Sequence, residues 1–318
     1  MTSMMSRNAP VAAAGGARPA RVPHTRRSRH PGRALGTAAL FLAPLLSIYA
    51  VYYLYAFGFL AATSTTRSTL SFVDATDVGW QNFRLVLTDP VFVRSVANNL
   101  LFAAVSIAVA LTLGFFLAVV LASGVRLRRF FYAVFLLPSL IPLSLFATVF
   151  GRMLETRDGA VNATLRAVGL GPLAQDWLGE PGPAYAALFV LLAYLVGLPI
   201  MYYTSDLSTA NTAVLESALL DGASTGQMYR LILFPLLRNT HRTVILSVLL
   251  GSFRAFDIVF FSTKGDPGGR TGITGTYVYN AMLGEGRVGY ASAAAVIVLV
   301  IALAVSLVHL VIQRRGRS

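Results

Sequence analysis

The sequence predicts an all-α integral membrane protein of six transmembrane helices behind a disordered, basic N-terminal tail. Three observations carry that expectation. Of the 318 residues 56% are hydrophobic and only 12% are charged, with a mean hydropathy of +0.67, whereas soluble domains carry roughly a quarter charged residues. Intervals without a single charge recur along the chain, at 34–66, 95–125, 130–151, 181–205 and 288–313. Basic residues are also unequally shared between the two sides that these intervals define.

Residues 1–33 come first. They are rich in Ala, Gly, Pro and Arg and show no apolar periodicity, which is the composition of a disordered segment. The next apolar run, from Ala34 to Thr66, is far longer than the roughly 7–15 residues of a cleaved signal's core. It reads as an uncleaved first membrane helix, so residues 34–318 form one transmembrane domain. A span needs about twenty mostly apolar residues, which places helices near 36–58, 99–122, 131–151, 184–205, 243–263 and 290–312. The fifth is apolar apart from Arg254 and Asp257. Pro44, Pro138, Pro142 and Pro199 predict kinks or breaks, tolerable where neighbouring helices cover the freed carbonyls.

Six spans put both termini on one side. Sixteen of the 26 basic residues then share that side, nine lie opposite, and Arg254 is inside a span. This bias predicts that both termini are cytoplasmic, as in a multi-pass plasma or inner membrane protein. The net charge of +13 is therefore not a nucleic-acid footprint. Seven arginines, from Arg7 to Arg33, sit in the tail, where they fix orientation and meet anionic lipid. Cysteine is absent, which excludes disulfide and thiol chemistry.

The longest polar interruption, about residues 208–241, faces the cytoplasm in this topology. Asn211 and Thr212 can cap a short helix through Val214, Glu216, Ala218 and Leu219. Gly222 falls where that helix ends and suits the left-handed conformation of a tight reversal. Ser224 and Gln227 form an S-x-x-Q capping box that starts a second helix, with Tyr229, Ile232 and Leu233 on its apolar face. Pro235 is expected to end or kink it. The physical reading alone leaves two alternatives, an amphipathic connection between spans or a surface that engages a partner.

The segment resembles the cytoplasmic loop of permease subunits of binding-protein-dependent ABC importers, whose pattern is E-A-A, three residues, Gly, nine residues, I-x-L-P. Glu216, Ala218, Gly222, Ile232 and Pro235 fall in register. Asp221, Ala223 and Ser224 match the D-G-A-S form of the sugar branch. Ser217 and Phe234 depart from the pattern. The likeness extends from about Trp80 to Arg315 through W-Q-N-F, D-P-V-F at Asp89–Phe92, N-N-L-L-F at Asn98–Phe102, R-R-F-F-Y-A-V-F-L-L-P at Arg128–Pro138, D-G-A-V-N at Asp158–Asn162, G-S-F-R-A-F-D at Gly251–Asp257 and G-Y-A-S-A at Gly289–Ala293. It is greatest to the maltose and glycerol-3-phosphate permease subgroup. The resemblance implies a type I ABC importer permease-like fold that passes a sugar or sugar derivative by alternating access. It also implies that the loop is a coupling helix seated in a cytoplasmic ATPase, with Glu216, Ser217, Ala218, Asp221, Gly222, Ala223 and Pro235 as the coupling residues. Implied partners are the ATPase subunits, a second homologous permease in a heterodimer, and an extracytoplasmic solute-binding protein.

The chain has no G-x-x-x-x-G-K-[ST] of its own. G-D-P-G-G-R-T at Gly265–Thr271 has the wrong spacing for a phosphate loop and resembles the family's T-x-G-G-P loop instead. No cofactor, no catalytic residue and no metal site are expected. His24 and His30 lie in the tail, His241 and His309 are solitary near membrane edges, and H-E-x-x-H is missing. Arg254 and Asp257 lie roughly 18–22 Å into the fifth span. Intramembrane charges face a bundle interior or a watery cavity, and at spacing i, i+3 these two can also simply pair. Both readings stand. In the first they join Tyr194, Gly197 and Ser252 as candidates for the translocation path. A transporter driven by an ion gradient is the alternative function, but it calls for an acidic relay or paired broken helices. A lipid-linked glycosyl transferase calls for clustered acidic or His residues at a membrane face. Neither pattern is found.

Overall fold

The computed structural model describes residues 31–315 except 74, 210–213, 215, 216, 219 and 254, with side chains described from 39 to 312. The expected tail, Asn211, Thr212, Glu216, Leu219 and Arg254 therefore lie wholly or largely outside the described residues. The chain divides into two compact units, residues 1–55 and 56–318. Within the first, a helix starts at Pro31, and Tyr49 and Tyr53, one turn apart, stack at 5.7 Å. The second unit carries the remaining helices and the sites described below.

Among the described residues four helices are long and apolar enough to cross a membrane: Ala39–Ser64, Pro90–Ala122, Pro181–Thr209 and Val288–Ile312. Two bent pairs supply the third and fifth spans: Arg128–Leu140 with Leu143–Met153, bent by 98°, and Arg238–Ser252 with Phe256–Ser262, bent by 50°. The six spans appear in the expected order, with boundaries corrected by local chemistry.

The second span begins at Pro90 rather than near residue 99. The Asp89 carboxylate accepts from the Val91 amide at 2.8 Å, with Pro90 in the first turn. This is the arrangement that starts a helix, since proline has no amide to waste there. Hydropathy marked only the apolar part beyond Arg94. The third span is not one rod. Ile141 is extended ahead of Pro142, because proline disfavours helical backbone in the residue before it. The fourth span breaks at Leu195–Val196, so that Pro199 falls in the first turn of Gly197–Thr209. Pro44, by contrast, lies inside an unbroken helix.

Three apolar clusters hold the second unit together. Phe102, Ala147, Leu188, Leu191, Ile258 and Ile273 join spans two to five with the loop beyond span five. Ala110, Ala118, Ile200, Tyr203, Leu237 and Val244 join spans two, four and five near the polar interruption. Val86, Phe92, Tyr290 and Ala291 to Ala294 seat the start of span six. The far half of span six exposes Val300, Leu303, Leu307 and Ile312, a surface suited to lipid.

The loops at the end opposite the interruption are stapled by buried amides. Asn82 Nδ2 donates to the carbonyls of Ser64 (3.0 Å) and Thr66 (2.8 Å). Asn162 donates to Thr156 and Gln175 carbonyls and accepts from Trp177 Nε1 at 2.8 Å. Arg152 and Glu155 pair at 2.6 Å on the surface, where such a contact is worth little. Asp89 also accepts from the hydroxyls of Tyr277 (2.6 Å) and Tyr290 (3.1 Å), tying span two to span six. Burial pushes the Asp89 carboxyl up, but bonds from Tyr277, Val91, Tyr290 and Phe92 outweigh it and hold the pKa below the usual carboxylate range.

Candidate functional site

The polar interruption folds as a hairpin. Val214, Ser217, Ala218 and Leu220 are helical. The turn is closed by Gly222, at φ +79°, and by the Ala223 amide donating to the Ala218 carbonyl at 3.0 Å. That six-to-one bond across a left-handed glycine is a Schellman closure, which satisfies carbonyls the ending helix leaves open. The second helix starts as expected. Ser224 Oγ accepts from the Gln227 amide at 3.4 Å, and Gln227 Oε1 accepts from the Ser224 amide at 2.8 Å.

The second helix runs through Thr225–Gln227, a π-helical segment Met228–Leu233 and a last turn Phe234–Leu236. The helix ends at Leu236, one residue past Pro235, close to where the sequence expected Pro235 to end or kink it. The widened π register ahead of Pro235 absorbs the bond that proline cannot donate, and the break falls at Leu237, a turn residue before span five. Leu233 and Leu237 are buried, and Tyr229 and Ile232 half-buried.

The coupling candidates share this turn. Ala218 is buried, Ala223 half-buried, and Ser217, Asp221, Gly222 and Pro235 are exposed. Leu220, beside them, is 89% exposed, an apolar side chain presented at the tip. Glu216 lies outside the described residues.

A cavity of about 280 Å³ opens between spans two, three, four and five, close to the lower end of the roughly 300–1,000 Å³ of small-ligand sites. Its wall is mostly apolar, with Phe102, Leu143, Leu195, Val244 and Ile258 among its residues. Five hydroxyls interrupt it, from Ser106, Ser139, Tyr202, Ser247 and Ser252. Ser252 Oγ donates to its own helix at Leu249 O, 2.7 Å away. The other four have no protein partner among the described residues. Helical serines commonly bond back to the preceding turn, so these leave both donor and acceptor free. Among the described residues the wall carries no charged side chain.

Of the path candidates, Ser252 is in this wall. Tyr194 lies elsewhere, 54% exposed and stacked flat on Phe146 at 5.3 Å. Gly197 is where span four presses on span three; a Cβ there would sit 2.4 Å from the Phe135 carbonyl oxygen. Asp257 is half-buried and absent from the cavity wall, although Ala255 and Ile258 on either side of it line it, and Arg254 lies outside the described residues. Sequence reading passed over Ser106, Ser139, Tyr202 and Ser247 because an isolated serine in a span carries no signal without knowing which way it faces. It also passed over the pair behind the wall. Asn98 donates to the carbonyls of Arg270 (2.6 Å) and Gly272 (2.7 Å), and Asn99 donates to the Ser252 carbonyl (3.1 Å) while accepting from the Thr274 amide and hydroxyl.

A cavity with a mostly apolar, hydroxyl-bearing wall between spans two to five, with a capped hairpin leading into span five, marks a multi-pass membrane permease. The model for the binding-protein-dependent transport system inner membrane component family matches residues 90–318, and the chain belongs to that family. It is 31% identical over 282 residues to the probable ABC transporter permease YurN of Bacillus subtilis, covering 88% of this chain and 96% of the relative. It is 28% identical to MsmF, a multiple sugar-binding transport system permease of Streptococcus mutans (75% and 81% covered). It is 26% identical to MalF, a trehalose/maltose transport system permease of Thermococcus litoralis (88% and 94% covered). The fold matches a chain of the bacterial alginate ABC transporter crystallised with an alginate pentasaccharide-bound periplasmic protein. The TM-score is 0.75 at 22% identity, covering 89% of this chain and 96% of that one.

Proposed function

We propose that this chain is the translocating subunit of an ATP-driven importer for a neutral, hydroxyl-rich solute of the sugar class. Hydrolysis occurs on separate cytoplasmic ATPase subunits, and the solute is delivered by an extracytoplasmic binding protein. A second, homologous permease completes the pore. The observation that carries the reading is the hairpin. Its left-handed Gly222, its Ser224–Gln227 box and its exposed Leu220 and Asp221 make a capped turn that presents an apolar and an acidic side chain together. A chain without its own nucleotide loop must take force from a partner, and this is where a partner can grip. Ser217, Ala218, Asp221, Gly222, Ala223 and Pro235, with Glu216, are assigned to that grip.

The cavity supports the substrate class. Unpaired hydroxyls on an uncharged, mostly apolar wall can hydrogen-bond a polyhydroxylated solute while its ring faces lie on the apolar groups. Relatives named for sugar transport agree with this. Alternating access follows if the hairpin drives spans four and five, which wall the cavity. Ser252 is assigned to the path, and Arg254 and Asp257 to its continuation past the bend. Tyr194 and Gly197 set how span four packs on span three.

The function is tested by uptake of labelled sugars into cells that carry this permease with an intact or a hydrolysis-dead ATPase partner. Uptake is expected only with the intact partner; equal uptake with both would leave an ion gradient as the driving force. Orientation has its own test. With both termini cytoplasmic, reporter fusions after Asp158 and after Asp266 should report the outside and one after Gly226 the inside. A cytoplasmic signal at Asp158 would reverse the assignment.

A further inference from the structure

His241, passed over in the sequence as a lone histidine at a membrane edge, is only 8% exposed and bonded at both ring nitrogens. Nε2 lies 2.8 Å from the Phe234 carbonyl oxygen, and Nδ1 lies 2.7 Å from the Tyr203 hydroxyl. A carbonyl only accepts, so Nε2 carries the proton, and Nδ1 accepts from Tyr203. Phe234 is in the last turn of the hairpin helix, His241 in the first turn of span five, and Tyr203 in span four. The Phe115 ring, from span two, meets three of these rings edge-on: Phe234 at 5.4 Å, Tyr203 at 5.7 Å and His241 at 5.9 Å. A second tie runs alongside, from the Thr240 hydroxyl to the Asp206 carboxylate.

The hairpin helix and span five are separated by one turn residue, Leu237. The backbone leaves the helical region at Leu237 (φ −88°, ψ 20°), while its amide still bonds to the Leu233 carbonyl and the His241 amide to the Leu237 carbonyl, so a tilt of the hairpin helix would hinge there. The His241 ring spans that hinge from the inside. It fastens the carbonyl before the hinge to the helix after it, and through Tyr203 to span four. Tyr202 and Val244, next to Tyr203 and one turn past His241, are already in the cavity wall. We propose that His241 is a positioning residue, the strut that makes a displacement of the hairpin helix a displacement of spans four and five around the cavity. The proposal rests on the reading of the hairpin as the ATPase contact.

The chain has no cysteine, so two can be placed at will. Spin labels at M201C and L250C, on spans four and five and outside the cavity wall, report the separation of the two spans in the full chain bound to its ATPase. The probe is ATP. His241→Asn keeps an acceptor near Nδ1 but loses the donor to Phe234. His241→Gln keeps a donor near Nε2. ATP should shift the label separation in the unmodified strut background and in His241→Gln, and should not in His241→Asn, with the ATPase retained by all three. A full shift in His241→Asn overturns the proposal, as does equal loss of the shift in both variants, which is what mere packing predicts. Should His241→Asn fail to insert, His241→Leu, which likewise has no donor for the Phe234 carbonyl, takes its place, and a full shift there overturns the proposal. If the chain with native His241 does not hold the ATPase at all, the importer reading itself fails.

Discussion

Gly222→Val is expected to abolish uptake while leaving the protein in the membrane. The glycine sits at φ +79° with nothing within 4 Å of where a Cβ would be, so the penalty is not a clash with neighbours. It is the cost of left-handed backbone, about 1–2 kcal/mol for a residue with a Cβ and higher for a β-branched one. Since about 1.4 kcal/mol is a tenfold change in population, a valine there leaves a small fraction of hairpins correctly turned. The Ala223–Ala218 bond that closes the turn goes with it. Glu216→Lys should act differently, by repelling a basic group on the ATPase without changing the fold. Gly226→Ala is the internal control: it is helical, also has open space around its missing Cβ, and should be neutral or slightly stabilising. Uptake and ATPase co-purification should collapse in the first two and persist in the third. Normal transport and ATPase retention by both Gly222→Val and Glu216→Lys would reduce the hairpin to a plain connector.

That hairpin was legible in the sequence because each of its parts is local. A capping box needs residues three apart, and a Schellman turn needs one glycine at the right step, so neither depends on the rest of the fold. The spans were legible for a similar reason, as runs of apolar residues of the right length. What hydropathy does not encode is where a helix begins when its first turns are polar, so the cap at Asp89 placed span two nine residues earlier than its apolar run suggested. Pro142 and Pro44 look alike in sequence, yet one sits at a 98° bend and the other inside an unbroken helix. The difference is local: Ile141 before Pro142 is extended, whereas the backbone stays helical through Pro44. The cavity was the least legible part. Ser252 was noticed for its place beside Arg254 and Asp257, whereas Ser106, Ser139, Tyr202 and Ser247 come from four separate stretches of chain and meet only once the bundle is assembled. His241 was misjudged for the same reason, since its two partners lie 7 and 38 positions away.

The second large effect is expected at Asn99. Its side chain is 1% exposed and meets three groups at once: the Ser252 carbonyl at 3.1 Å, and the Thr274 amide and hydroxyl at 2.8 Å each. Side-chain hydrogen bonds between membrane helices are often worth well under 2 kcal/mol, because the separated helices find other partners. Asn99 differs in that its partners include backbone groups at the end of one helical segment and the start of another, where no ladder stands ready to replace it. Asn99→Leu conserves volume roughly; the Ser252 carbonyl keeps the Ala255 amide at 3.3 Å, but the Thr274 amide is left buried without its acceptor, at about 1–3 kcal/mol. That is a large share of a net stability of about 5–15 kcal/mol. The variant should accumulate poorly in the membrane and melt well below the parent in detergent. It should also loosen the loop 263–274, which Asn99 and Asn98 hold against span two. Lys264 is the chain's single lysine and lies in that loop, so a lysine-specific protease reads the loosening as one cut, faster in Asn99→Leu than in the parent. An unchanged melting point together with an unchanged rate of cleavage at Lys264 in Asn99→Leu would show that the loop is held by its own internal bonds, Thr263 to Thr271 among them, and that Asn99 adds nothing to them.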